Sequence, residues 1–161
     1  MFTIQKLREP KLNEESMRKQ AIDILLVEDN EDDIILTLES FDEIDAATIT
    51  HVVRDGEEAV SFLRRTGSHV NAPRPSLIVM DINMPKMNGF EVLDNIKADP
   101  SLRQIPVVIL TTSDRFEDIN RAYKLGASSY IPKPVGFDNF VSVAQQFSTY
   151  WSEVSRIPLG N

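Results

Sequence analysis

Five side chains in this sequence of 161 residues could do chemistry together: the carboxylates Glu28, Asp29 and Asp81, the ammonium of Lys133 and the hydroxyl of Thr111. Each closes a short apolar run. Asp81 follows Leu77-Ile78-Val79-Met80, and Met84-Pro85 with Asn88-Gly89 then break the chain, so a buried strand delivers an acid to its C-terminal tip. Carboxylates brought close together repel one another unless a cation or Lys133 shares the site. A small set of oxygen ligands, completed by water, suits Mg²⁺ better than zinc or a thiophilic metal. Taken singly, every member has a plain structural reading: Asp81 as a turn residue, Glu28-Asp29 as a helix cap, Thr111 as a strand end and Lys133 as a solvated lysine. Only convergence makes them a site.

Convergence depends on the elements that carry them. Ile22 to Val27 reads as a first strand ending in the acidic run Glu28 to Asp33; Ile34, Ile35, Leu38 and Phe41 then recur at helical spacing. Acidic and Asn residues suit the start of that helix, where the backbone dipole favours negative charge. Ala47 to Val53 is a second strand closed by Asp55-Gly56, followed by a helical stripe of Ala59, Phe62 and Leu63 that stops near Gly67. Residues 67–75 read as a loop. After the third strand, Phe90, Val92, Leu93 and Ile96 mark a helix ending before Pro100. Pro106 to Leu110 is a fourth strand with Thr111 at its tip. Phe116, Ile119, Ala122, Tyr123 and Leu125 give a helix stopped by Gly126, Ser128 to Ile131 a fifth strand, and a last helix spans about Gly136 to Glu153.

Five strands alternating with five helices predict an α/β fold, a doubly wound, mostly parallel sheet covered on both faces. Right-handed crossovers put all C-terminal strand ends on one edge, so the tips of strands one, three, four and five can meet there. The chain divides into residues 1–20, a flexible leader or a loosely docked helix, a single domain over residues 21–153, and a tail over residues 154–161. A net charge of −8 argues against nucleic-acid or anionic-membrane partners and for cations or basic protein faces. The absence of cysteine excludes disulfides and thiolate chemistry. Neither a signal peptide nor an apolar run of about 18 residues is visible, and the expectation is a soluble, cytoplasmic protein.

Several short motifs in fixed order carry a family likeness. Leu26-Val27-Glu28-Asp29, Asp81 with Asn83-Met84-Pro85 and Asn88-Gly89, Thr111, Gly126-Ala127, and Tyr130 before Lys133-Pro134 resemble the receiver domain of bacterial two-component response regulators, from about Asp23 to Trp151. The resemblance implies a flavodoxin-like strand order, 2-1-3-4-5. It implies that Asp81 accepts a phosphoryl group from a phosphohistidine on a sensor histidine kinase. Mg²⁺ would be held by Asp29, by Glu28 through water, by Asp81 and by the backbone carbonyl of Asn83. Lys133 and Thr111 would bind phosphoryl oxygens, Tyr130 would report the change, and Asn83 and Ser113 would modulate dephosphorylation. Such a protein is a signalling switch, not an enzyme, beyond self-phosphorylation and its reversal. Neither His51 nor His69 lies in a motif, so the donor histidine belongs to another chain. Thr112 is bulkier than the residue usual at its position.

The extended loop after the second helix and an aromatic tail are similar to the small stand-alone regulators paired with phytochrome kinases, which form dimers. Phe140, Val143, Ala144, Phe147 and Trp151 make a core-facing stripe on the last helix, while Phe137, Val141 and Tyr150, continued by Val154, Ile157, Pro158 and Leu159, suggest a homodimer face. The alternative is that this tail folds back on its own domain. With no DNA-binding region in the sequence, the expected output is a protein contact. An aspartate-nucleophile phosphatase would place its acid after the first strand with a second Asp two residues on, where this chain has Asn83. A flavin carrier needs a phosphate cradle where Glu28 to Asp33 would repel it. A receiver-like scaffold independent of phosphorylation is the remaining alternative.

Overall fold

The computed structural model describes residues 22–44 and 48–150. The expected leader, Trp151 and the tail lie outside the described residues. Strands β1 (Asp23–Val27), β2 (Ile49–Val53), β3 (Leu77–Met80), β4 (Val107–Thr111) and β5 (Ser129–Pro132) form one parallel sheet in the order β2-β1-β3-β4-β5. Helices α1 (Glu31–Ile44), α2 (Gly56–Arg64), α3 (Gly89–Ala98), α4 (Phe116–Lys124) and α5 (Phe137–Thr149) alternate with them. Both the architecture and the strand order agree with expectation.

The pleat sorts the core into two layers, because successive strand residues point to opposite faces. Leu25, Val27, Ile78, Met80, Val107 and Ile109 meet Phe62 and Leu63 of α2 and Phe90, Val92, Leu93 and Ile96 of α3. On the other face Ile24, Leu26, Leu77, Val79, Val108 and Leu110 meet Phe41 of α1 and Phe140 and Ala144 of α5. The rings of Phe41 and Phe147 stack with centroids 5.8 Å apart, closing α1 against α5. Central strands buried on both sides explain why β3 and β4 read as continuous apolar runs.

Side-chain caps fix where three helices begin. Asn30, Asp55 and Asn88 accept hydrogen bonds from the amides of Asp33 (3.0 Å), Glu58 (2.8 Å) and Glu91 (3.0 Å). Three details refine what the sequence predicts. Helix α2 ends before Gly67, because Arg65 itself takes the left-handed conformation at φ 57°, held by bonds from Arg65 N to Phe62 O (3.2 Å) and Thr66 N to Ser61 O (3.0 Å). The following loop contains one 3₁₀ turn, Gly67–His69. The stripe on α4 forms a helix but buries only Ala122; Phe116 is 74% exposed and Tyr123 49%.

Candidate functional site

Strand register brings the reactive side chains together. Val27 is level with Met80 and Met80 with Ile109, so Glu28 and Asp81 leave the sheet side by side. The ladder runs one step past the strands: Asp81 N donates to Val27 O and Glu28 N to Val53 O, each at 3.0 Å. Thr111 is level with Pro132, which places Lys133 one residue beyond, where its amide donates to Thr111 O at 2.7 Å. By alternation Glu28 continues the face of Leu26 and Asp81 that of Val79, the side covered by α1 and α5.

Lys133 is the hub of this edge. Its Nζ donates to Glu28 Oε1, to Asp33 Oδ2 (2.8 Å) and to Asp81 Oδ2 (2.9 Å). The Lys133 side chain is only 6% exposed, and Glu28 and Asp81 are buried, so these charges meet away from bulk water. Burial works against the Lys133 ammonium, but bonds to Asp33, Glu28 and Asp81 outweigh it and hold the group more basic than a free lysine. Glu28 is pushed up to about 7, chiefly by burial; the bond from Lys133 opposes this and the Asp81 charge adds to it. Its Oε2 accepts from the amides of Asp29 at 3.0 Å and Asn30 at 3.5 Å.

Glu28, Asp29 and Asp81 each offer a carboxylate oxygen, and the three atoms lie within 4.8 Å of one another. Glu28 and Asp81 are buried and Asp29 is exposed, so the cluster opens to solvent on the Asp29 side. Its donors are hard oxygens, which fits a divalent cation such as Mg²⁺. Asn83 lies beside it, its amide 3.3 Å from Asp81 Oδ1. The loop after Asp81 is folded tightly back: Gly89 N donates to Ile82 O at 2.8 Å, and a β-carbon on Gly89 would stand 2.5 Å from the Asp81 carbonyl oxygen. Only glycine admits that approach.

Thr111 is fully buried at the tip of β4, its Oγ1 receiving the Ser113 amide at 3.4 Å. Ser113 turns its own hydroxyl to Asp118 Oδ2 (2.6 Å), and its carbonyl accepts the Tyr130 hydroxyl at 2.7 Å. Burial raises the Tyr130 hydroxyl above the ordinary tyrosine range, with the Ser113 bond opposing. Thr112 is exposed. The edge thus assembles Glu28, Asp29, Asp81, Asn83 and Lys133, with Thr111 at the tip of β4, Ser113 in the loop that follows and Tyr130 on β5 beside them. His51 and His69 lie elsewhere: His51 Nε2 is 3.0 Å from Asp23 Oδ1 at the opposite end of β1, and His69 Nε2 is 3.5 Å from Glu58.

Two acids were not singled out as partners by the sequence reading. In the sequence Asp33 is one of several acids that complement a helix dipole. What could have found it is its place in the first turn of a helix entered directly from Glu28-Asp29. Asp118 had no comparable signal, because its partner Ser113 is an ordinary turn residue.

Known proteins similar to this chain include response regulators. The model of the response regulator receiver domain matches residues 24–145. Response regulator Rcp1 of Synechocystis sp. is 39% identical over 138 residues, covering 84% of this chain and 92% of that protein. Among solved structures, the phosphorylated cyanobacterial phytochrome response regulator RcpA superposes with a TM-score of 0.83 at 39% identity, covering 86% of this chain and 99% of the other. The Mn²⁺-bound form of Rcp1 gives a TM-score of 0.79 at 38% identity, with the same coverage. Sheet order, strand-tip acids and sequence likeness agree: the chain belongs to the response regulator receiver domain family.

Proposed function

We propose that Asp81 is the phosphoacceptor of this receiver and that its donor is a phosphohistidine on a partner kinase. The observation that carries the reading is the position of the Asp81 carboxylate, at the tip of a central strand, bonded to Lys133 and within reach of Glu28 and Asp29. In the transfer an Asp81 carboxylate oxygen attacks phosphorus. A P–O bond forms as the P–N bond to histidine breaks, and the leaving nitrogen keeps the electron pair and takes up a proton. Asp29, Asp81 and the Asn83 carbonyl, with Glu28 through water, would hold Mg²⁺, whose charge would let a phosphoryl dianion approach three carboxylates. Lys133 pairs with one phosphoryl oxygen and the Thr111 hydroxyl donates to another.

Thr111 connects the event to the surface. Drawing its hydroxyl toward phosphorylated Asp81 pulls on the Ser113 amide it now receives, and Ser113 in turn carries the Tyr130 hydroxyl. The expected readout face is α4, β5 and α5. Asn83 and Ser113 modulate the lifetime of the phosphoryl group.

Incubation with acetyl phosphate and Mg²⁺ tests this. Intact mass should rise by a single phosphoryl group, and Asp81→Asn should abolish the gain. An unmodified wild-type protein under conditions where a cognate kinase is active would favour the phosphorylation-independent scaffold.

The kinase partner is proposed to be a phytochrome, on the likeness to RcpA. A homodimer through the last helix is supported by Phe137, 41% exposed at its start. A monomer in size-exclusion chromatography at micromolar concentration, with and without beryllofluoride, would reject the dimer.

A further inference from the structure

Lys133 has one partner more than the cation cluster supplies. Glu28 and Asp81 bind its ammonium and also belong to the trio whose oxygens converge on a cation; Asp33, 2.8 Å from the same Nζ, does not. A divalent cation and an ammonium share the negative charge of the same two carboxylates. Loading the site therefore engages two of the three anions of Lys133 and leaves Asp33 uncontested. A lysine stem is flexible, and a buried ammonium without an anion is strongly disfavoured, so the remaining partner decides where Nζ stays.

Asp33 is well placed for that task. It sits in the first turn of α1, its amide bonded to the Asn30 cap (3.0 Å) and its carbonyl accepting the Thr37 hydroxyl (2.7 Å). The N-terminal end of a helix favours its negative charge. The helix itself is anchored through buried Ile34 and Phe41. Lys133, by contrast, lies on the connection between β5 and α5.

We propose that Asp33 is a positioning residue, which holds the Lys133 ammonium against the acceptor site once a divalent cation has engaged Glu28 and Asp81. The inference rests on the reading of Lys133 as the phosphoryl-binding cation. It assigns Asp33 no contact with the phosphoryl group or the metal.

The test titrates Mg²⁺-loaded protein with beryllofluoride and follows the Lys133 side-chain nitrogen by NMR in ¹⁵N-lysine-labelled samples. Asp33→Asn should weaken beryllofluoride binding about tenfold, the scale of one charge-assisted hydrogen bond, and shift the Lys133 resonance. Asp33→Glu should restore most of the affinity. In a Lys133→Ala background, Asp33→Asn should change affinity less than about twofold, as expected when one residue acts through the other. An equal loss with and without Lys133, or no loss with Lys133 present, would overturn the proposal. Failure of the wild-type protein to bind beryllofluoride would instead reject the phosphoacceptor reading. The Lys133 resonance in Mg²⁺-loaded protein then decides the pairing: a shift on Asp33→Asn upholds it and an unmoved resonance overturns it.

Discussion

Helices α1 and α4 flank the same edge of one sheet, yet they are held by different forces. Helix α1 buries Ile34, Thr37, Ser40 and Phe41, and its contact with α5 closes over an apolar layer. The buried hydroxyls of Thr37 and Ser40 return to carbonyls one turn earlier, Asp33 O and Leu36 O, each at 2.7 Å, so their burial leaves no donor unmet. Helix α4 buries Ala122 alone. Beyond that small side chain, what ties it down is polar or aromatic: Asp118 to the Ser113 hydroxyl, and the Arg121 guanidinium 4.2 Å above the Phe90 ring. Apolar burial gives α1 a broad, non-directional attachment, whereas α4 depends on a few directional contacts that a shift of its loop would break. The acidic cluster of Glu28, Asp29 and Asp81 and the neighbouring Asp33 lie on the firmly held side. Ser113 and Tyr130 lie on the lightly held one.

Removing core volume under the firm side should produce the largest effect. Phe140→Ala, at a ring only 3% exposed between α5 and the sheet, should cost about 3–5 kcal/mol in urea unfolding. A loss below about 1 kcal/mol would mean that α5 is not part of the stabilising layer. On the light side, Ser113→Ala should cost about 1 kcal/mol by leaving Asp118 without its hydroxyl donor, and should speed amide exchange in α4 while leaving α1 unchanged. Equal acceleration in both helices would erase the contrast. Arg121→Ala should cost about 0.5–1 kcal/mol, the value of a cation–π contact at an exposed position. Phe116→Ser should sharpen the comparison most gently: with the ring 74% exposed, unfolding free energy should stay within about 0.5 kcal/mol. A larger loss would show that the ring is covered in solution.

The sequence was most informative where period and burial coincide. β3 is a continuous apolar run because both its faces are covered, and that run located Asp81 to the residue. Caps at Asn88 and Asp55 were legible as turn residues before a helical stripe. The α4 stripe shows the limit: Phe116, Ile119 and Tyr123 have helical spacing, and a helix forms, but spacing does not reveal whether a partner surface exists for it. Arg65 shows another, since a left-handed arginine carries none of the glycine signal that usually marks a helix end.

By itself, then, the sequence determined the alternation of strands and helices, the acids and the lysine at strand tips, and the family to which they belong. These follow from short-range facts: side-chain type, period and turn chemistry. Tertiary structure alone decided that Lys133 divides its charge among Glu28, Asp81 and Asp33, because that depends on which face each tip residue presents and which helix covers it. It also decided that α4 is attached by Asp118 and Arg121 as well as by Ala122, while Phe116 and Tyr123 of its apolar stripe stay exposed. Contacts across about a hundred residues of sequence, such as Asp33 with Lys133, leave no periodic trace; they exist only once the sheet has set the register.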